Sequence, residues 1–399
     1  MVNYEDGDDI LLNERTEILY RGTQARNNAV NPETPAIYPA TAYIIKDTED
    51  YDFANGGGKY FYNRTANPNR DGLGEAISFL ENGEETLICS SGMGAISTAL
   101  LSLLKCGEHA VFSKDIYGET IELIDLLRSH GIEVTLADFT DLEAVEVALK
   151  ENTKLVYTEI IANPLTQVVD IRKISELAHK RGSLVLVDST FTTPFVIKPL
   201  KLGADVIIHS LTKFFGGHSD VTGGSITASK EIIKLIKPSY LLLGATLDAN
   251  SAWLLQRSVK TMGMRMKAQL DNAVILAKAL SENPNIRAVY HPSLESHPQH
   301  ALAEDVFLYG YGTMISFRVE DDRKKVDEFI HRLNVVKYLG TLGGIRTTLA
   351  HPASAFRNEF TPEELRKMGL YEGLIRISTG AEDVRDLIED FSQALKVFG

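Results

Sequence analysis

The stretch "ADVIIHSLTK", residues 204–213, places a lysine directly after a run of apolar, largely β-branched residues that predicts a buried strand. Its last four residues, from Ser210 to Lys213, fit two chemistries. One is the S-x-x-K pattern of acyl enzymes, in which the serine attacks a carbonyl. The other is a lysine at the end of a strand, where its amine can form an imine with the aldehyde of a cofactor. The rest of the chain has to decide between them.

The sequence before this stretch alternates short apolar runs with helical patterns. Six runs are almost continuously apolar and are predicted to be strands: 85–90, 109–113, 132–137, 154–159, 183–188 and 205–210. Strands that are apolar on both faces and separated by helices are typical of a mostly parallel sheet covered by helices. We therefore predict the α/β fold class, with a large domain over residues 66–245.

Two segments of different composition flank this domain. Residues 1–65 are polar and rich in proline and glycine, and such a segment has little core of its own, so it either wanders or wraps around a neighbour. Residues 246–399 are predicted to form a smaller α+β domain. Its elements are a long helical run ended by Pro284, a strand at 313–320, a helix around 323–333 and a C-terminal helix at 381–398.

Charge and composition exclude several classes of function. The 399 residues carry a net charge of −13, which argues against nucleic acid or an anionic membrane surface as the main partner. The chain has two cysteines, Cys89 and Cys106, and a single disulfide could not stabilise a chain of this size. A reducing compartment is therefore expected. No secretory signal and no membrane-spanning apolar run is visible. These features predict a cytoplasmic protein whose partner is a small molecule.

The acyl-enzyme interpretation requires two further elements that the chain lacks. Such enzymes combine S-x-x-K with S-D-N and K-T-G. The two candidate dipeptides here are followed by the wrong residue, valine at 221 and methionine at 262. The S-x-x-K match is therefore attributed to chance.

The imine interpretation gains a partner at the same sheet edge. In open α/β sheets, ligands bind beyond the carboxyl ends of the strands, where Asp188 ends one predicted strand and Lys213 follows another. Pyridoxal phosphate (PLP) uses such a pair, because the lysine bonds to its aldehyde and the aspartate keeps its pyridine nitrogen protonated. Asp188 could instead cap a helix, since Ser189 and Thr190 follow it.

A cofactor phosphate also needs hydrogen-bond donors. The segment "CSSGMGAIS" follows a predicted strand and opens a helix, so the backbone N–H groups of Gly92 and Met93 can face an anion. A dinucleotide fingerprint fits less well, because Ser97 stands where a third glycine or alanine belongs. Ser210 and Thr212 can add hydroxyl donors beside the lysine.

Many stretches in one order resemble the PLP-dependent enzymes of cysteine and methionine metabolism, which have fold type I. The matching stretches are "YFYNRTANPNR", "SSGMGAI", "DIYGET", "ANPLTQVVDI", "VDSTFTTP", "GADVIIHSLTKFFGGHSD", "LAHPAS" and "EGLIRISTGAEDVRDLI". The resemblance covers nearly the whole chain. It implies PLP as the cofactor, Lys213 as the lysine that carries it, and the residues before 66 as an arm contacting a neighbouring subunit.

The resemblance assigns further roles to matching positions. Tyr62 and Arg64 would reach the phosphate of the neighbouring subunit's cofactor, within a homotetramer that is a dimer of dimers sharing active sites. Gly92, Met93, Ser210 and Thr212 would hold the phosphate within the subunit. The remaining assignments are Tyr117 stacking on the ring and helping proton transfer, Asn163 beside the ring oxygen, and Arg376 binding the substrate α-carboxylate.

Each of these side chains also has an ordinary structural interpretation. Tyr62 and Tyr117 could be half-buried packing residues, which is the usual role of tyrosine. Arg64 and Arg376 could form surface ion pairs. The family context favours the functional assignments.

The family divides by reaction into lyases that release thiols and enzymes that replace a γ-substituent. "SSGMGAI" is nearest the methionine γ-lyase branch, so we expect a carbon–sulfur lyase giving a keto acid, ammonia and a thiol. The alternatives are cystathionine γ-synthase, O-acetylhomoserine sulfhydrylase, a cystathionine lyase, or a binding protein that kept the fold without catalysis. Phe61 and Gly340 stand where cystathionine-handling members often carry glutamates, which weakens the cystathionine interpretation.

Three departures also weaken the methionine assignment. Glu119 stands two residues after Tyr117, where methionine γ-lyases typically have cysteine. Tyr240 and Leu241 replace a Lys-Asp pair, and Thr341 replaces a serine near the substrate carboxylate. Glu119 is predicted either to line the substrate pocket or to be a solvated residue in the first turn of a helix, where the helix dipole favours a carboxylate.

The segment "HPSLESHPQH", residues 291–300, raises the possibility of a metal site. The spacing of its histidines fits no zinc pattern, and prolines flank them. We predict an exposed loop and no metal.

Overall fold

The computed structural model describes residues 13–22, 32–357 and 360–399. Two sheets with their covering helices account for most of these residues. Residues 1–12 and 23–31, which make up much of the predicted N-terminal arm, lie outside the described residues, so the arm stays a prediction.

The larger sheet contains the six predicted strands and one more. Its strands are β1 (Glu85–Cys89), β2 (His109–Ser113), β3 (Glu133–Ala137), β4 (Thr153–Glu159), β5 (Leu184–Asp188), β6 (Val206–Ser210) and β7 (Gly224–Ala228). Their spatial order is β1-β7-β6-β5-β4-β2-β3. β7 is antiparallel to both neighbours and the other six strands run in one direction, which confirms the mostly parallel sheet.

Helices cover both faces of this sheet because alternate strand residues point to opposite faces. Tyr157 of β4 packs in a core with Leu100 and Leu127 on one face, whereas the adjacent Val156 packs with Ile174 on the other. The described helices of this part are α1 (Glu14–Glu17), α2 (Thr48–Asn55), α3 (Pro68–Glu81), α4 (Gly92–Leu103), α5 (Gly118–Ser129), α6 (Leu142–Ala148), α7 (Ile171–His179), α8 (Thr193–Val196) and α9 (Lys230–Leu243).

The smaller sheet lies in the C-terminal part of the chain and has the order β10-β11-β12-β9-β8. Its strands are β8 (Ala288–Tyr290), β9 (Met314–Arg318), β10 (Lys337–Tyr338), β11 (Thr348–Ala350) and β12 (Leu374–Ser378). The accompanying helices are α10 (Ala249–Val259), α11 (Met262–Ser281), α12 (His300–Val306), α13 (Arg323–Arg332), α14 (Pro352–Ala355), α15 (Pro362–Lys367) and α16 (Val384–Ala394). Phe317, Phe329 and Phe391 meet in the core between this sheet and its helices. None of the described helices is long and apolar enough to cross a bilayer.

The long helical run predicted before Pro284 is not one continuous helix, because the structure divides it into α10 and α11. The Ser258 carbonyl accepts hydrogen bonds from the Thr261 N–H and from the buried Arg265 guanidinium, both at 3.1 Å, so the chain turns there. Leu255 of α10 shares a core with Leu73 of α3, on the side of the larger sheet. The domain boundary between residues 245 and 246 stays a prediction.

The prediction of an exposed histidine loop is also wrong for two of its histidines. His291 and His297 are buried, and burial lowers the pKa of each imidazole to about 4. The His291 ring bonds to the Ser293 hydroxyl at 2.7 Å, which satisfies one of its nitrogens. Across the described ranges, no group of three or more His, Cys, Asp or Glu residues could hold a metal ion.

Candidate active site

Three neighbouring parallel strands end side by side at one edge of the larger sheet. β4, β5 and β6 end at Glu159, Asp188 and Ser210, and Glu159 pairs in register with Asp188. The carboxyl ends of parallel strands at such an edge are where open α/β sheets bind ligands. The candidate site is built on this edge.

Lys213 follows the end of β6 by three residues, and its side chain is largely buried. Its Nζ donates to the Thr341 Oγ1 at 3.4 Å. Burial lowers the pKa of the Lys213 amine, the nearby Arg376 lowers it further, and Glu119 acts in the opposite sense. A lower pKa increases the neutral, nucleophilic fraction of the amine, which is what a lysine that bonds to an aldehyde requires.

A loop from the C-terminal part of the chain lies directly against this lysine. Gly343 has φ of +77°, and a Cβ built on it would lie 2.8 Å from the Phe214 N and 2.9 Å from the Lys213 Cβ. Its N–H donates to the Ser378 Oγ at 2.9 Å. Only glycine permits both this backbone conformation and this approach. The loop thereby brings Thr341 to the lysine amine.

Asp188 lies at the same edge and is only 7% exposed. Its Oδ1 accepts the Thr190 N–H at 2.9 Å, so the carboxylate also makes the local turn contact that the sequence left open. Burial raises the pKa of the Asp188 carboxyl, whereas the Thr190 hydrogen bonds and the charge of His209 oppose that rise. A second oxygen remains for a ligand, because a carboxylate has several acceptor positions.

The N-terminus of α4 lies beside the end of β6. A Cβ built on Gly92 would lie 2.8 Å from the Ser210 Cβ, so a larger residue would close the space between them. Ser91 caps the helix by accepting the Gly94 N–H at 2.9 Å. The first backbone N–H groups of a helix are unpaired and carry partial positive charge, which suits a phosphate. Gly92, Met93 and Ser210 are thus brought together as predicted phosphate ligands.

Thr212 is close to this group, but its hydroxyl already has partners. It accepts the Gly223 N–H at 3.1 Å and donates to the Gly223 carbonyl at 3.3 Å. A phosphate would have to replace the second of these bonds.

Tyr117 and Glu119 lie at the start of α5, on the outer side of the site. Tyr117 is 41% exposed, and its backbone N–H donates to the Glu159 Oε1 at 2.7 Å. Burial of part of its ring raises the pKa of the Tyr117 hydroxyl, and a hydrogen bond with the exposed Glu119 carboxylate raises it further. Glu119 is therefore an exposed neighbour of Tyr117, two residues along the chain.

Arg376 comes from β12 of the smaller sheet. Its Nη1 donates to the Asn163 Oδ1 at 2.9 Å, which joins two of the predicted site residues. Burial lowers the pKa of the Arg376 guanidinium to about 10, and the Glu159 carboxyl opposes that effect. A buried guanidinium paired with a neutral amide keeps its charge available for a carboxylate.

Tyr62 and Arg64 lie at the surface, next to the end of α9. Both are exposed, and the Arg64 guanidinium carbon lies 5.5 Å from the centre of the Tyr62 ring. The Arg64 Nη1 donates to the Leu241 carbonyl of α9 at 2.7 Å. Within the described residues neither side chain is hydrogen-bonded or ion-paired to Lys213.

Sequence reasoning missed two sets of buried polar residues around the site. Glu159 is 7% exposed and ends β4 just as Asp188 ends β5, so its strand-end position was a signal that could have identified it. The fully buried His209 bonds through Nε2 to the Glu81 Oε1 at 2.5 Å. Nothing in the strand pattern indicated that pair, because Glu81 lies on α3, far away in the sequence.

The residues at this edge fit PLP. Lys213 offers an amine with a lowered pKa, Asp188 a buried carboxyl group, and the α4 N-terminus a space that a side chain at Gly92 would fill. Arg376 adds a largely buried cation for an amino-acid carboxylate. Such a set on a mostly parallel sheet defines the class of PLP-dependent enzymes of fold type I.

Comparison with known proteins gives the family. The chain belongs to the Cys/Met metabolism PLP-dependent enzymes, whose sequence profile matches residues 15–396, and its cofactor is PLP. It is 39% identical over 366 residues to an L-methionine γ-lyase of Fusobacterium nucleatum subsp. polymorphum, covering 90% of this chain and 92% of the relative. It is 40% identical over 339 residues to a cystathionine γ-lyase of Bacillus subtilis, covering 84% and 89%.

A solved structure of cystathionine γ-synthase from Xanthomonas oryzae pv. oryzae, in complex with aminoacrylate and cysteine, superimposes with a TM-score of 0.90. Its sequence is 34% identical, and the match covers 97% of this chain and 98% of that one. The family and the fold class expected from the sequence are confirmed. The relatives differ among themselves in reaction, so the family includes both lyases and a synthase at similar identity.

Proposed function

We propose that this chain is a carbon–sulfur lyase that removes a thiol from the Cβ or Cγ of an amino acid and releases a keto acid and ammonia. The supporting observation is that Lys213 and Arg376 lie close together: a lysine amine of lowered pKa is within electrostatic range of a largely buried guanidinium. The lysine amine is suited to moving protons, and the arginine guanidinium is suited to binding an amino-acid carboxylate. Both reported relatives are lyases of thioether amino acids.

Each residue at the site has a distinct task in this proposal. Bound PLP supplies the electron sink that stabilises negative charge at the substrate Cα. Lys213 holds the cofactor and then moves protons at Cα and Cβ. Asp188 keeps the pyridine nitrogen protonated, and Tyr117 covers the ring and assists proton transfer to the substrate. Gly92, Met93, Ser210 and Thr212 bind the phosphate.

The substrate carboxylate is bound between the two parts of the chain. Arg376 from β12 binds it, and Thr341 lies beside it at 3.4 Å from the Lys213 amine. Asn163 accepts a hydrogen bond from the guanidinium at 2.9 Å and would lie beside the ring oxygen of bound PLP. Orientation by a prepaired guanidinium lowers the entropic cost of the reaction.

Methionine is the first candidate substrate. The motif "SSGMGAI" is nearest the methionine γ-lyase branch, and a methionine γ-lyase is among the relatives. Elimination at Cγ of methionine would release a small apolar thiol.

Cystathionine is the second candidate, and Glu119 favours it. The Glu119 carboxylate is close enough to both the Tyr117 hydroxyl and the Lys213 amine to raise the pKa of each. A carboxylate in that place attracts a substrate tail that carries an ammonium group and does nothing for a methyl thioether. The γ-replacement enzymes, a synthase or a sulfhydrylase, remain as alternatives because the same residues serve a replacement at Cγ.

Tyr62 and Arg64 are proposed to serve the phosphate of a neighbouring subunit's cofactor, in a homotetramer built as a dimer of dimers. Their exposure and their placement against α9 support this proposal, because a side chain that contributes to its own site would be turned toward Lys213.

A substrate panel tests the proposed reaction. Purified protein loaded with PLP is given methionine, homocysteine, cysteine, cystathionine and O-acetylhomoserine with a thiol, and keto acid and thiol are both measured. Keto acid from a thioether substrate supports a lyase. Thioether formation without keto acid would assign a replacement enzyme, and a yellow protein inactive on every member would assign a binding protein.

A further inference from the structure

Glu159 has no role in the proposed reaction so far, although it is bonded to one of the residues that do and lies near two others. It ends β4 beside Asp188, with which it pairs in register across the sheet. Its Oε1 accepts the Tyr117 backbone N–H at 2.7 Å. Arg376 lies within electrostatic range on the third side. The buried Glu159 carboxyl group therefore lies near three residues with proposed roles. These are Tyr117, proposed to cover the cofactor ring, Asp188, proposed to bind its nitrogen, and Arg376, proposed to bind the substrate carboxylate.

The contact with Tyr117 fixes where α5 begins. Tyr117 is the N-cap residue of this helix, and its side chain accepts no hydrogen bond from the first turn. The Tyr117 ring is 41% exposed and so has little packing of its own to hold it. The 2.7 Å bond to Glu159 ties its backbone to the sheet edge. Loss of this bond would let the tyrosine move away from the site.

The contact with Asp188 determines the charge of the pair. Two carboxyl groups side by side in a buried place do not both ionise, because like charges repel and burial disfavours each charge. Burial raises the pKa of the Glu159 carboxyl well above its usual range, and the neighbouring Asp188 and Asp115 raise it further. The Tyr117 N–H bond and the charge of Arg376 oppose this rise without cancelling it. Asp188 has the Thr190 hydrogen bonds and the charge of His209 to support its anion. The proton of the pair belongs on Glu159.

We propose that Glu159 is a positioning residue that, as a neutral carboxylic acid, holds Tyr117 over the site and leaves the negative charge to Asp188. For its rate measurement this inference rests on the carbon–sulfur lyase activity proposed above. Its stability measurement is independent of that activity.

Three variants separate the two tasks. Glu159→Gln keeps a neutral group whose oxygen can accept the Tyr117 N–H, and Glu159→Ala removes the acceptor. Asp141→Asn is the control, since Asp141 is an N-cap carboxylate on α6 that accepts N–H groups at 3.0 and 3.3 Å away from this edge. We expect Glu159→Gln and the control to keep nearly the wild-type kcat at pH 7. Glu159→Ala should lose about tenfold to a hundredfold in kcat, because displacement of a positioned group by about 1 Å has effects of that order.

The melting temperature of the PLP-free protein against pH gives the second measurement. A carboxyl whose folded pKa is raised contributes stability that is complete below its unfolded pKa and is lost as pH rises through the folded pKa. Glutamine cannot ionise, so Glu159→Gln should melt above wild type at pH 9, and the difference should shrink toward pH 5. A structural hydrogen bond alone would give a difference independent of pH.

The outcomes divide clearly. Wild-type kcat in Glu159→Ala would overturn the positioning role. If Glu159→Gln loses as much kcat as Glu159→Ala, the negative charge of Glu159 is needed and the proposed neutral carboxylic acid is wrong. A melting-temperature difference between Glu159→Gln and wild type that does not change with pH would contradict the neutral carboxylic acid in the same way. If Glu159→Ala does not fold, the glutamine variant still tests the proposal. If no substrate in the panel reacts, the proposed function fails while the melting measurement still decides the protonation of Glu159.

Discussion

Lys213 is subject to opposing electrostatic effects. Burial and Arg376 lower the pKa of its amine, and Glu119 acts against them. The net lowering favours the neutral amine, which can attack an aldehyde, whereas an exposed lysine is almost entirely protonated at pH 7. The position of one lysine relative to one arginine therefore prepares the site for its cofactor.

Lys213→Ala is predicted to keep the fold and lose turnover, because in the proposed reaction the amine both holds the cofactor and moves the substrate proton. Loss of a general base alone lowers rates by about 10² to 10⁴-fold. Borohydride reduction of the wild-type holoenzyme should bleach its yellow colour and label the peptide that contains Lys213. The exposed Lys201 provides the control, since Lys201→Ala should keep colour and activity. A label found on any other lysine would contradict the assignment.

Glu119 is predicted to set a modest preference among substrates. A desolvated carboxylate would have a large effect on substrate choice, but Glu119 is exposed. An exposed ion pair contributes about 1 kcal/mol or less, which corresponds to a change of up to about fivefold. Glu119→Gln and Glu119→Cys should shift relative kcat/KM from cystathionine toward methionine by about that factor.

The matched control for this shift is Glu122→Gln, in the same helix and also exposed. It removes the same charge farther from Lys213. Equal ratios of kcat/KM in both glutamine variants would show that Glu119 is a helix-end residue without a part in substrate choice.

At the scale of elements, the strands that carry the site could be predicted from the sequence, but the antiparallel strand β7 could not. β4, β5 and β6 are long apolar runs, and Asp188 and Lys213 follow from their ends. β7 was missed because "GSITA" begins with glycine and its serine and threonine interrupt the apolar residues. That glycine is required, since a Cβ on Gly224 would lie 2.0 Å from the Ser91 carbonyl oxygen.

Features that depend on distant partners could not be predicted from local pattern. The division between α10 and α11 depends on the Arg265 guanidinium, which also bonds to the Phe214 carbonyl at 2.8 Å. The burial of His291 depends on Gly312, whose carbonyl lies 3.2 Å from its ring. Glu159 acquires its partners only when β4 and β5 pair. Tertiary contacts decide each of these, and they leave no periodic signal in the sequence.

The loop that brings Thr341 to Lys213 gives a prediction at the same scale. Gly343→Ala places a Cβ 2.8 to 2.9 Å from Phe214 and Lys213 at a φ of +77°, so the loop must move. A left-handed non-glycine residue costs about 1–2 kcal/mol before any clash, and a shift of about 1 Å at the site costs on the order of 10²-fold in rate. We expect a lower melting temperature and a marked loss of kcat.

Gly340→Ala is the control for this substitution, because a Cβ on Gly340 meets nothing within 4 Å. It belongs to the same loop and makes the same chemical change. Similar losses in both variants would indicate a general effect of loop rigidity and not the close approach to Lys213.

At the scale of the molecule, the surface around Tyr62 and Arg64 is suited to contact with another subunit. Both residues are exposed, and the neighbouring end of α9 carries Leu242, which is 86% exposed, and the exposed Leu243. Adjacent exposed apolar side chains of this kind are typical of protein–protein contacts. In a twofold-symmetric pair each subunit would present this surface to the other, so two sites would be completed at once.

Complementation between subunits tests the shared site. Arg64→Ala and Lys213→Ala homo-oligomers should each be inactive. In a mixed dimer, one site contains both defects and the other combines the intact Lys213 of one chain with the intact Arg64 of the other. Random mixing makes half of the dimers mixed, so activity should recover to about a quarter of wild type. Mixed dimers purified with two affinity tags that show no activity would place Arg64 in its own subunit's site.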